Sequence, residues 1–216
     1  GDDIRLTDRD VILARSDVPP WYLRVLRTDS GHFQTQLQLP VGGPGGPVVT
    51  VLRGWTSADV RFRGTKLRFV NTHLEDGFAA IQEAQATELV NGPITRGSRV
   101  VMVGDFNSDA LTNNTMSYQI VLNAGFSDVW TLAQPTAAGE TWGHADDLLN
   151  PMPMLTQRID FVFFKGRFEA RDAFLVGDEP GDRTATSPPL WPSDHAGLVA
   201  ELRVQGGFWR WWRWWR

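Results

Sequence analysis

Four short runs hold the side chains that could do hydrolytic chemistry: Asn71-Thr72-His73-Leu74-Glu75, Gly104-Asp105-Phe106-Asn107, Arg158-Ile159-Asp160-Phe161 and Ser193-Asp194-His195. Asp105 and Asn107 stand two residues apart after an apolar stretch, so both can point the same way at a strand end. Cleaving a phosphate ester needs a group that orients or deprotonates water and a donor for a non-bridging oxygen, and this pair suits those roles. Taken alone, the same run also reads as an Asx turn. Asp194 and His195 are neighbours whose side chains diverge on an extended segment, so they are expected to serve different partners; a surface turn after Pro192 is the plain alternative. His73 could stabilise charge on a phosphorane-like centre as a cation, or be a hydrogen-bonded structural residue at a strand end. Arg158 could form only a structural salt bridge. Glu75 is given no role, and His32 and His144 are expected in loops.

The elements that must position these runs are mostly strands. Val11–Ala14 and Tyr22–Leu26 are short apolar-rich runs around Pro19-Pro20, and Phe33–Leu39 alternates strictly, as a half-exposed antiparallel strand does. The Gly/Pro-rich stretch from Gly42 to Pro47 leads into a strand over Val48–Leu52. Lys66–Val70 and Val100–Val103 are strands feeding the first two runs, and Ile159–Phe164 is the strand carrying the third. Phe168–Val176 is expected to fold back on the last of these as a hairpin across Lys165-Gly166, and Leu198–Val204 is a final alternating strand. Phe78–Asn91 and Met116–Ala124 have helical patterns, closed by Gly92-Pro93 and Gly125. This predicts an α+β or mixed α/β domain of packed sheets with helices outside.

In this order, over roughly residues 1 to 204, the four runs resemble the endonuclease/exonuclease/phosphatase superfamily of DNase I-like nucleases, abasic-site endonucleases, sphingomyelinases and inositol-phosphate phosphatases. The resemblance implies a DNase I-like four-layer α/β sandwich, with two packed mixed β-sheets flanked by helices. It implies a metal-dependent phosphoesterase in which Asp105 orients water, Asn107 and His73 hold the phosphate, and Asp160 orients His195. Asp194 then binds the metal, with Asp105 and Asn107 as further ligands. The cofactor implied is magnesium, with manganese or calcium as alternatives. The substrate is a phosphate ester: a nucleic acid, a phospholipid headgroup or an inositol phosphate. Specificity is expected in loops that include Thr56–Gly64 and Leu132–Pro153. Family members carry an Asn and a metal-binding Glu on two early strands, upstream of a segment like Asp2–Ala14. The chain starting at Gly1 is therefore expected to lack those strands, through truncation or because a completing chain supplies them, and to turn over weakly alone.

Composition narrows the chemistry. The 216 residues suit one domain, expected over 1–205, and with no cysteine any metal must be held by oxygen or imidazole. Removing the last nine residues leaves 18 basic against 25 acidic residues, a body of charge −7 that argues against broad electrostatic capture of nucleic acid. No leader or membrane span is evident, so the chain is expected to be soluble; its compartment, cytoplasmic or secreted, stays open. Residues 206–216 break from the body: a Gly-Gly spacer precedes Phe208 and a Trp/Arg run holding five of the ten tryptophans. This tail resembles membrane-active antimicrobial peptides, which implies contact with anionic membranes. An appended tag, a basic tail folded onto the body and a base-stacking segment are the alternatives. The competing function is a membrane-active binding protein with a catalytically inactive body.

Overall fold

Val100–Asp105 is apolar on both of its faces, and the fold shows why: it lies in the middle of a sheet that is covered on both sides. The computed structural model describes residues 9–43, 45–92 and 96–205. Its elements are Leu23–His32 (β1), Leu37–Pro40 (β2), Val48–Val51 (β3), Gly54–Phe62 (β4), Thr65–His73 (β5), Ala79–Asn91 (α1), Val100–Asp105 (β6), Ser117–Asn123 (α2), Ser127–Asp128 (β7), Val129–Ala133 (α3), Asp160–Lys165 (β8), Phe168–Val176 (β9) and Gly197–Val204 (β10). Six strands form a mixed sheet in the order β1-β4-β5-β6-β8-β7; β5 and β6 run parallel, joined through α1. The antiparallel pair β9-β10 is a second sheet, and the β2-β3 hairpin a third.

On one face of the six-stranded sheet, Val70, Met102, Phe161 and Phe163 pack with Leu89 of α1 and Val121 of α2. On the other, Val101 and Phe164 pack with Phe168, Ala173, Leu198 and Leu202 of the second sheet and with Val129 and Trp130 of α3. The period of two along each strand divides its residues between these two cores, which makes this an α+β fold with packed sheets.

Several expectations are corrected. Residues 9–14 form no strand, and Val11 and Leu13 are exposed. The alternation over 33–39 is interrupted, because side chains take over the backbone bonds of a ladder: Glu88 accepts from Gln34 N and Thr35 N, and Gln36 bonds Phe33 O and both N and O of Arg53. The supposed loop Thr56–Gly64 is mostly β4, paired along its length with β1 and β5. Its polar residues are accommodated within the strand: Asp59 receives two bonds from the buried Arg68. Strand β9 pairs with β10 and not with β8. The reason is that Phe168 and Ala173 bury against the face of the first sheet instead of extending its edge. The Trp/Arg tail lies outside the described residues. Among the described residues, no helix is long and apolar enough to cross a membrane.

Candidate active site

The C-terminal ends of β5 and β6 and the start of β8 meet at one rim, where register sets His73 opposite Asp105 and Asp105 opposite Asp160. Gly104 makes that approach close: with φ +143, a Cβ at this position would lie 1.9 Å from Thr72 O. The turn after Asp105 is held by its own carboxylate, whose Oδ1 accepts from Asn107 N at 2.8 Å. Asn107 adopts φ +49, a left-handed conformation that Asn tolerates. Its Nδ2 donates to Leu74 O at 3.0 Å, tying this turn to the one after His73.

His195 arrives from the segment before β10, and its Nδ1 lies 2.8 Å from Asp160 Oδ2. That bond fixes the ring so that Nε2 faces Asp105 Oδ2 at 4.0 Å and Asp194 Oδ2 at 3.9 Å. Asp194 and His195 have different hydrogen-bond partners, since Ser193 Oγ donates to Asp194 Oδ1, yet their side chains converge on the rim instead of diverging. The bridge of His195 to Trp142 sets the angle of the segment.

His73 Nε2 lies 3.4 Å from Asp105 Oδ2, and Arg53 Nη1 is 2.8 Å from His73 Nδ1. A guanidinium can only donate, so His73 Nδ1 must be the acceptor and the remaining ring proton sits on Nε2. Arg53 supplies positive charge beside the rim, and His73 Nε2 faces Asp105. Burial and the neighbouring Asp160 charge push the Asp105 carboxyl up to about 7. For His195, burial lowers the imidazole's pKa, but the Asp160 bond and the carboxylates around it outweigh that, and the net direction is up.

Further residues, outside the four runs, support the rim. Arg53 carried no motif. Thr141, fully buried, accepts through Oγ1 from Ile159 N and Asp160 N and so sets the start of β8. Gln82 and Gln85 lie on the buried face of α1: Gln82 donates to Glu75 O and Asn107 O, and Gln85 bonds Glu75 N and Thr35 O. The one available signal was two glutamines at a spacing of three on a helix next to a chemical run. Glu75 is buried beneath the rim, its Oε1 accepting from Gly77 N, and burial raises its pKa. Arg158 is structural: it pairs with the buried Asp128 and lies over the rings of Tyr118 and Phe161. His32 ends β1 and is not in a loop. His144 is buried, stacked on Trp191 with ring centroids 3.9 Å apart.

One ligand atom from each of Asp105, Asp160 and His195 falls within a 4.8 Å group able to hold a metal ion. Asp194, expected as a metal ligand, is not part of this group, although its Oδ2 lies 3.9 Å from His195 Nε2. A hard divalent ion suits the carboxylates of the group, and it would relieve the crowding of negative charge that raises Asp105.

Residues 9–195 match the model of the Endonuclease/Exonuclease/phosphatase family. No curated protein matches the chain. Among solved structures, a mannosyl-6-phosphatase of Bacteroides thetaiotaomicron VPI-5482 shares 18% identity at a TM-score of 0.62, over 85% of this chain and 68% of that one. D. rerio TDP2 complexed with single strand DNA product shares 18% at 0.62, over 85% and 69%. The human Nocturnin catalytic domain with bound sulfate anion shares 16% at 0.56, over 85% of this chain and 60% of that one.

Proposed function

Because the chain belongs to the endonuclease/exonuclease/phosphatase family, we propose that its rim hydrolyses a phosphate ester by in-line attack of water. The observation that carries this reading is the His195–Asp160 bond of 2.8 Å, which turns His195 Nε2 toward Asp105 and Asp194. A carboxylate on one ring nitrogen fixes the tautomer and stabilises the imidazolium that forms when the other nitrogen takes a proton. Asp160 and His195 are the acid-base pair. Asp105 orients the attacking water and accepts its proton. His73 Nε2–H and Asn107 hold non-bridging oxygens, and Arg53 keeps His73 in that tautomer.

Asp194 and Asp105, with the Asn107 carboxamide oxygen, would hold a magnesium ion. When bound, it would polarise the phosphoryl oxygen and offset charge building there. The protein's own residues determine where water and ester meet. The test is hydrolysis of chromogenic phosphodiester and phosphomonoester substrates, with magnesium or with chelator. Turnover should need the cation and fall about 10²- to 10⁴-fold in Asp160→Asn, whose folding should be unchanged. Turnover indifferent to both changes would refute the assignment. The two substrate arms separate phosphatase from nuclease chemistry, which are represented among the similar folds by a mannosyl-6-phosphatase and a protein holding a DNA product.

A further inference from the structure

The sheet end remote from the rim carries charge that its own pairing does not neutralise. Register sets Arg24 of β1 opposite Arg61 of β4, and Arg61 opposite Lys66 of β5, so three exposed cations form one cross-strand row. Like charges directly opposed weaken a sheet. On a body whose balance is acidic, the row concentrates positive charge at one place.

An exposed aromatic side chain stands at the same pole. Trp21 is 75% exposed beside Tyr22, and Arg63 from the β4–β5 turn lies over the Tyr22 ring at 5.5 Å. The last described residue, Gln205, also ends here: its N–H donates to Arg167 O, and Arg99 donates to its carbonyl. The chain continues from that point into Gly206-Gly207 and the Trp/Arg run. An exposed indole among guanidinium and ammonium groups is the composition that settles at a lipid headgroup layer.

We propose that this pole docks on an anionic lipid bilayer, through Trp21 and the row of Arg24, Arg61 and Lys66. Seven residue steps along β5, from Lys66 to His73, separate row from rim, roughly 23 Å at about 3.3 Å per residue, so the docked protein presents its rim away from the lipid surface. Position favours lipid over nucleic acid as the partner: a grip on a nucleic-acid substrate belongs beside the cleavage site, and this row lies at the opposite end of the sheet.

The test uses the full chain with vesicles of phosphatidylcholine, with and without a third of phosphatidylglycerol, at low and high salt. Binding should require phosphatidylglycerol and weaken with salt. The triple variant R24Q/R61Q/K66Q should lose on the order of a hundredfold in partitioning. Trp21→Ala should lose less, by an amount that salt does not alter. Unchanged melting, and unchanged hydrolysis of a soluble phosphate ester by the triple variant, would separate a docking defect from a folding or catalytic one. Equal partitioning of wild type and triple variant, binding that ignores phosphatidylglycerol, or no vesicle binding would overturn the proposal. So would row-dependent capture of single-stranded oligonucleotide in place of vesicles.

Discussion

Asp128 and Asp105 are both largely buried carboxylates on the six-stranded sheet, and the fold treats them in opposite ways. Asp128 caps α3: its Oδ1 accepts from Trp130 N, and its Oδ2 from Tyr118 Oη, Thr131 Oγ1 and the Arg158 guanidinium. Its lone pairs are met by fixed donors and its charge by a buried cation. Asp105 accepts from Asn107 N on one oxygen, while the other faces two imidazoles at 3.4 and 4.0 Å and the carboxylate of Asp160 stands nearby. A saturated buried carboxylate is architecture, since any new partner would have to displace an old one. An under-satisfied one, held beside a like charge, is poised for a proton, a cation or a substrate.

The contrast is broken most sharply by removing a partner from each region. His195→Ala should reduce kcat by about 10²- to 10⁴-fold while the melting temperature barely moves, as steady-state kinetics and calorimetry would show. Asp128→Ala should do the reverse, costing about 3–5 kcal/mol in urea unfolding, because Arg158 is left buried without its counter-charge. Its effect on kcat, measured well below the denaturation midpoint, should be slight.

Asp105→Asn should change stability in the direction opposite to Asp128→Ala. A carboxyl raised to about 7 in the folded state keeps its proton over a range where the unfolded chain has released it. The folded protein therefore binds more protons between the two values, and stability falls as pH rises through that window. Above pH 7, without divalent cation, the variant should be more stable than wild type by on the order of 2 kcal/mol. Magnesium should narrow that gap by stabilising only the wild type. Asp59 gives the smallest effect, with the opposite sign. Its bonds to Arg68 hold its carboxyl below the usual range, so it contributes stability above the ordinary carboxylate pKa that is lost as pH falls through the folded value. Since a third of its side chain is exposed, Asp59→Asn should cost no more than about 1 kcal/mol at neutral pH and nothing in strong acid, by thermal melts across pH.

The rim was legible in the sequence as far as strand ends could be read. Val100–Val103 announced a strand covered on both faces, and Asp105 followed it; likewise Asp160 followed Arg158-Ile159. What stayed hidden depends on contacts distant in sequence. Nothing local to Arg53 indicates that it meets His73, because β4 and β5 must pair first. Gln82 and Gln85 look like the polar face of a helix, whereas they are buried to bind the turns that hold Glu75 and Asn107. The alternation from Phe33 to Leu39 imitates a strand, but Glu88, more than fifty residues later, claims two of its backbone donors. Periodicity records which face a residue prefers; it does not record which side chain will arrive to compete for the backbone.

Asp105 is held at the rim in want of a partner, and a carbon-13 NMR titration of its carboxyl, with and without magnesium, reads that state. The midpoint should lie near about 7 in the free protein and fall toward the ordinary range of about 4 or below when magnesium is present. A midpoint already at about 4 without the cation, and unmoved by it, would show that Asp105 is not poised in this way.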